Sequence, residues 1–472
     1  MTREKKLLIN TGILALGDFF PKFLTVLITP ILTLKLTQVE YGEYDLIITI
    51  VSLLIPIATL QISSAVFRFL ITKRDDKAAC DAIISTVYLF VIVMSIIAGI
   101  IYYLCVGQKS GVVGIFVSIY FVCNVLLITT QQVLRGLGKN LIYSLSAIIQ
   151  AVVSLVCFFL LTGGLNLPNY GLLGVTISLS LSTTIPFLLL MIKCNILSKI
   201  KPKEASFKLL KSMLLYSWPM VPNNLSLWVL GLSDRLLITA FLGLKMNAIY
   251  AVANKLPSIF SSLQGAFITA WQESASLAKE DDDKDEYYTK MCDWVYRLLT
   301  GIMSGLIMCT PIIWRILIHG DYEEAYCQLP ILYIAMMFNC MSSTIGGIYI
   351  AHMKTKSVGL TTMASAVINF VINIIFIQKI GIWAASLSTL ISYFLLWLFR
   401  MYNVQRFQRI NFDKKMIICS IFSLSLMTLL NYQQKLFFDC INVIICLCIL
   451  IFFDRKIIMT MYDKFIKSKF KK

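Results

Sequence analysis

Apolar runs of about 20 residues, each long enough to cross a bilayer as a helix, follow one another from Ile13 to the neighbourhood of Phe453. Inside hydrocarbon every backbone N–H and C=O must find its partner within the chain, so such runs become helices or strands of a closed barrel. Barrel strands alternate apolar and polar residues, whereas these runs are continuous, which leaves helices. Composition agrees: 58% of the residues are hydrophobic and 14% charged, against roughly half and a quarter in a soluble domain. Fourteen spans can be placed, near 12–34, 44–67, 82–105, 112–134, 141–162, 171–192, 212–242, 247–272, 293–318, 327–351, 358–378, 381–399, 416–431 and 436–453. The expected fold is an all-α polytopic membrane protein.

The first run follows a basic leader, Met1–Lys6, and competes with a signal peptide. It is too long for a signal core and no small-x-small site follows, so it reads as a retained first helix. The 13 cysteines are scattered without a CxxC pair, and most sit in apolar runs as small hydrophobes. Neither disulfides nor a metal site is expected from them.

A net charge of +17 would suit nucleic acid if it were spread over a surface. With the N-terminus placed in the cytoplasm, 33 of the 42 Lys and Arg fall on inner segments and five on short outer loops. Arg400, just past the span at 381–399, is among the inner ones. This is the positive-inside pattern, with both termini cytoplasmic, and it accounts for the basic charge without a nucleic-acid partner. The inner segment KEDDDKDEYYTK reads as a solvated connector or a docking site, and the final KFIKSKFKK as a basic anchor beside the membrane.

An internal repeat organises the spans. A shift of 206 residues lays Tyr44 on Tyr250 and the Thr37–Gly42 turn on Gly243–Ala248. A shift of about 210 lays Tyr170-Gly171-Leu172 on Ile380-Gly381-Ile382, and the Ser/Thr-rich helix 176–184 on 386–394. Six helices are thus repeated and a further pair follows: an N-lobe at 1–198, a C-lobe at 199–410, and 411–472 with the extra pair and the basic tail. An even repeat keeps its orientation in the membrane, which relates the lobes by an axis along the membrane normal.

Polar residues keep register with the repeat. Asp45, Thr49, Ser52, Pro56, Thr59 and Ser63 share one face of a helix, and the 206-residue shift sets Ala251, Lys255, Ser258, Ser262, Gly265 and Thr269 against them. Asp18, Lys22, Thr25 and Thr29 share another face, matched by Asn224, Trp228, Gly231 and Arg235. Two readings of these faces stand. Small polar residues allow close helix packing, and matched polar faces also line a wet cavity between lobes. The cations weigh on the second side. Lys22, Arg235, Lys255 and Arg315 lie within spans, where each charge costs roughly 2.5–3.5 kcal/mol unless it meets a partner or water. Asp18 can pair with Lys22 at i,i+4, and Asp234, pointing away from its neighbour Arg235, can reach toward Lys255. Asp45 reads as interfacial. No catalytic constellation and no phosphate-binding glycine loop is visible, so neither an enzyme nor an ATP-driven pump is expected.

The stretches LTLKLTQVEYGEYDLIITI and SDRLLITAFLGLKMNAIYAVANKL resemble those of Wzx-type polysaccharide-export flippases, in the superfamily that also holds the multidrug MATE exporters and the lipid II flippases. The resemblance extends over nearly the whole chain in helix count, lobes and extra pair. It implies a MATE-like fold in a bacterial cytoplasmic membrane. It also implies movement of a polyprenyl-diphosphate-linked oligosaccharide to the outer leaflet by alternating access, for O-antigen, capsule or exopolysaccharide. Mapped onto this chain, the family's cationic cavity falls on Lys22, Arg235 and Lys255, with Asp18, Asp234, Thr49 and Asn224 around them. The lipid bilayer and other glycan-assembly membrane proteins are the implied partners. No cofactor is implied, and an H+ or Na+ gradient, the membrane potential or downstream glycan use would supply the drive. The alternative is a MATE-type ion-coupled exporter of small solutes or drugs. The orientation is directly testable: a single Cys at position 166 should react with an impermeant thiol reagent added outside, and one at position 283 should not.

Overall fold

Three of the long apolar spans are each broken into two helices. The computed structural model describes residues 3–452; the side chain of Asp18 and the basic tail from Arg455 lie outside that description. The spans at 44–67, 212–242 and 247–272 each appear as two helices. These are α2 (Gln38–Thr59) and α3 (Ile62–Thr72), α8 (Phe207–Ser217) and α9 (Met220–Leu242), and α10 (Leu244–Ala253) and α11 (Lys255–Leu277). Each interruption lies within four residues of Pro56, Pro219 or Pro257. Pro219 and Pro257 stand at the start of the helix that follows the break, where a missing N–H to the carbonyl four residues back favours a fresh start, whereas Pro56 lies inside α2 and the break comes after it. At the first break Leu60 and Gln61 both turn left-handed, with φ of 47° and 55°, which takes Ser63 off the face that carries Asp45 and Thr49.

The remaining spans are continuous. They form α1 (Arg3–Lys35), α4 (Lys77–Cys105), α5 (Val112–Gly136), α6 (Asn140–Leu161), α7 (Gly171–Lys193), α12 (Lys284–Leu317), α13 (Glu323–Ala351), α14 (Thr355–Ile380), α15 (Trp383–Val404), α16 (Lys414–Asn431) and α17 (Leu436–Phe452). Among the described residues, 11 helices are long and apolar enough to cross a membrane, and α3 and α17 are shorter apolar helices. The protein is an all-helical, multi-pass membrane protein. Rows of large apolar side chains on the surface of α4, such as Ile96, Ile97 and Ile100, are what a helix turned toward lipid presents.

Two compact units divide the chain, residues 1–251 and 252–472. In the first, α1 packs on α6, α5 on α7 and α2 on α9. Thr37 caps α2: its hydroxyl accepts from the Glu40 N–H at 3.3 Å, while the Glu40 carboxylate accepts from the Thr37 N–H at 2.9 Å. The other oxygen of Glu40 accepts from the Leu172 N–H at 3.3 Å, tying the start of α2 to the start of α7. In the second unit α13 is the central helix, with 83% of its apolar window buried. Around it Phe338 and Trp397 stack at 5.2 Å, and Tyr296 bonds Ser420 at 2.6 Å.

Two backbone features keep the spacing of the repeat read from the sequence. α2 starts at Gln38 and α10 at Leu244, 206 residues on. Gly171 at the start of α7 and Gly381 just before α15, 210 apart, both take positive φ, 54° and 60°, a conformation that glycine adopts without a Cβ clash. The Ser/Thr-rich helices are sealed: Ser178, Thr183, Ser386, Ser388 and Ser392 are each 0% exposed. Their hydroxyls mostly return to carbonyls of their own helix, as with Ser178 to Gly174 at 2.7 Å. Close packing is therefore the role of this pair of faces. Ser365, Asn369 and Asn373 of α14 are buried likewise, with Ser365 donating to the Ser392 carbonyl at 3.0 Å.

Gly42 is where α2 and α10 meet most closely. It is buried, its carbonyl accepts from Asn247 Nδ2 at 3.0 Å, and a Cβ there would run into the Leu244 carbonyl. Gly42→Ala should therefore cost about 1–3 kcal/mol through overpacking, read as a lower thermal midpoint in detergent. Gly231→Ala, which meets nothing within 4 Å, should leave the midpoint level or raise it; equal behaviour of the two variants would contradict the contact.

Candidate substrate-binding site

In the first unit the polar residues of α2 and α9 form two clamps. Arg235 of α9 donates through Nη1 to Asp45 Oδ1 of α2 at 3.0 Å. Trp228 of α9 donates through Nε1 to Ser52 Oγ of α2 at 3.0 Å. Seven residues separate Asp45 from Ser52, and seven separate Trp228 from Arg235, in the opposite direction. The two helices are therefore antiparallel in register, with the clamps two turns, or about 10 Å, apart. Between them Thr49 is 0% exposed, and its Oγ1 has no hydrogen-bond partner.

The ion pair is deeply placed. The side chain of Asp45 is 2% exposed and that of Arg235 13%. Low dielectric strengthens their attraction, and stripping water from both charges costs much of that gain. One carboxylate oxygen, Asp45 Oδ2, is buried without a partner, so the pair is not saturated. Asp234, one residue before Arg235, points elsewhere: it is 4% exposed and accepts from the Tyr250 hydroxyl at 2.8 Å. Adjacent residues on a helix diverge by about 100°, which is how one helix places an acid and a base in two different networks.

Of the residues expected to bind substrate, Arg235, Asp234 and Thr49 fall in this one region of the first unit. Asn224, one turn beyond Trp228, is half-buried on the same helix. Lys22 is half-buried on α1 directly after Pro21, one of two prolines within that helix. The pairing expected between Asp18 and Lys22 falls on a side chain outside the described residues. Lys255 is in the second unit, half-buried, as the first residue of α11. Asp45, expected at an interface, is buried against Arg235. The signal for that pair was present as the matched seven-residue spacings on the two helices.

The second unit holds a buried cation that sequence reading placed in a loop. Arg400 lies inside α15 and is 3% exposed. It donates to the Ser342 carbonyl of α13 at 2.9 Å, to the Val358 carbonyl of α14 at 3.1 Å and to Thr362 Oγ1 at 2.9 Å. Its Nε and Nη2 both donate to Thr361 Oγ1, at 3.2 and 3.0 Å. None of these acceptors is a carboxylate. The fork of a guanidinium suits this clamp of three helices, since one group supplies five N–H donors.

The coupling between Asp45 and Arg235 is measurable. Asp45→Asn and Arg235→Gln should each destabilise the purified protein by about 2–4 kcal/mol, because each leaves a buried charge alone. The double variant should recover at least about 1 kcal/mol of the sum in a thermodynamic cycle. Strict additivity would mean that the two charges do not interact.

Residues 7–272, more than half of the chain, match the model of the polysaccharide biosynthesis protein family. An uncharacterized membrane protein of Methanocaldococcus jannaschii is 26% identical over 250 residues, 48% of this chain and 48% of its own; the match spans about half of that relative. Among solved structures, an inward-facing multidrug resistance MATE family transporter of the MOP superfamily covers 84% of this chain and 94% of its own at 12% identity, with a TM-score of 0.65. A MOP superfamily transporter from Pyrococcus furiosus covers 84% and 95% at 13% identity, with a TM-score of 0.53. At such identities the structures speak for the fold alone. On this sequence match and this fold, the chain belongs to the polysaccharide biosynthesis protein family, the Wzx-like flippases built on the MATE-like scaffold.

Proposed function

We propose that this protein carries a polyprenyl-diphosphate-linked oligosaccharide from the cytoplasmic to the outer leaflet of a bacterial cytoplasmic membrane, for cell-surface polysaccharide synthesis. Arg235 is the observation that carries the reading. It is an arginine within α9, a helix long and apolar enough to cross a membrane, and its one ion pair among the described residues is with a single carboxylate. A diphosphate has to shed water to cross, and a guanidinium replaces that water with paired, charge-assisted donors. In the proposal Arg235 and Lys255 hold the diphosphate and Lys22 assists, while Asp18, Asp234, Thr49 and Asn224 shape the surroundings. The diphosphate competes with Asp45 for Arg235, which keeps the guanidinium from being left alone when no substrate is present. The lobes at 1–198 and 199–410 move against each other to alternate access. The isoprenoid chain stays in lipid throughout, and an ion gradient, the membrane potential or removal of glycan outside drives the cycle. No covalent chemistry is required of the protein, which acts as a carrier.

The test separates substrate binding from stability. In cells that depend on this protein, Arg235→Gln and Lys255→Gln should each lower surface glycan at least about tenfold per unit of protein in the membrane, with lipid-linked oligosaccharide accumulating inside. Arg235→Lys should keep part of the export, since it retains charge but not the fork. The Asp45→Asn/Arg235→Gln pair removes both charges together and should reach the membrane yet still fail to export. Normal export by that pair and by Lys255→Gln would remove the anion-binding role and favour the exporter of small solutes.

A further inference from the structure

One short helix of the first unit carries a face that suits neither water nor hydrocarbon. α9 alone, with 23 residues, is long and apolar enough to cross a membrane. It spans about 35 Å, against a hydrocarbon core of about 30 Å. The 11 residues of α8 before it are therefore not needed for the crossing. α8 packs on α3 and α4, with Met213 and Ser217 buried and Tyr216 edge to face with Phe69 of α3 at 6.1 Å. Its other side carries Phe207, Lys211, Leu215 and Trp218, at successive steps of four, four and three residues, one stripe of a helix. Lys208 stands beside that stripe. Phe207 is 81% exposed, Leu215 61% and Trp218 54%, and both lysines are exposed as well.

The stripe selects its surroundings. Water would leave two aromatic rings and a leucine hydrated, and the hydrocarbon core would strip water from two ammonium groups. The headgroup layer meets both needs: aromatic rings sit at its acyl edge, and lysine stems lie along apolar surface while their heads reach outward. The local charge selects the lipid. Residues 193–218 hold six lysines and one acid, Glu204. Glu204 and Asp81 of α4 both go to Lys201, at 3.1 and 2.9 Å. Lys208 and Lys211 form no ion pair among the described residues. We propose that α8 lies in the headgroup layer and binds anionic phospholipid, with lipid phosphates on Lys208 and Lys211 and acyl chains against Phe207, Leu215 and Trp218. On the positive-inside bias this layer is that of the cytoplasmic leaflet, where anionic lipid attracts lysines next to a membrane span. The assignment holds whichever molecule the protein carries.

Photo-cross-linking reads both the layer and the lipid. Full-length protein carrying p-benzoylphenylalanine at position 207 or 215 would be placed in nanodiscs of equal phosphatidylglycerol and phosphatidylcholine, irradiated and examined by mass spectrometry. Position 100, on the apolar surface of α4, is the control. Both α8 positions should capture phospholipid, with phosphatidylglycerol favoured at least about fivefold, while the control follows the lipid ratio. The Lys208→Gln/Lys211→Gln pair should bring the α8 ratio down to that of the control at an unchanged thermal midpoint, and Lys208→Arg/Lys211→Arg should keep the preference. Capture of protein in place of lipid, capture of no lipid, an equal preference at position 100, or a preference that the Gln pair leaves intact would overturn the assignment.

Discussion

A charge inside a bilayer has to be answered by another group, and the two units answer theirs differently. In the first, Arg235 faces one carboxylate, Asp45, across α2 and α9. In the second, Arg400 is met by carbonyls and hydroxyls from α13 and α14 alone. The first arrangement is exchangeable, because a stronger anion can displace the aspartate. The second is a fastening, because its acceptors belong to helices that would have to separate to release it. That distinction, and not charge alone, is why we propose Arg235 as the cation that meets the substrate.

The repeat shows which features a duplicated membrane scaffold retains. Helix starts 206 residues apart and positive-φ glycines 210 apart serve the backbone, and buried Ser/Thr helices serve packing. Charged groups do not follow the repeat. The position matching Lys255 is Thr49, and that matching Arg235 is Thr29. If the lobes are related as the sequence suggests, they share backbone features and differ in their charged groups.

The α2–α9 contact also separates two meanings of a half. In the repeat read from the sequence α9 belongs with the second half of the chain, yet it packs against α2 and falls in the compact unit that ends at Ala251. The antiparallel register of the Asp45–Arg235 and Ser52–Trp228 clamps accounts for that placement. Two polar bonds about 10 Å apart fix both the rotation and the height of one helix on the other, as apolar contacts in lipid do less selectively.

The all-helical, multi-pass class and the position of most spans were legible in the sequence, because each is a matter of local hydropathy and length. The candidate site was legible in part: Arg235, Asp234 and Thr49 were singled out, while Asp45 was set at an interface and Arg400 in a loop. Helical periodicity tells which residues share a face but not which face meets it, since the same stripe serves a cavity or a packed neighbour. Only the tertiary structure decided that the 176–184 and 386–394 stripes are sealed, and that Arg235 turns to Asp45 and not toward its neighbour Asp234. Those are pairings between distant segments, set by the register of one helix on another, and no stretch of sequence contains that register by itself.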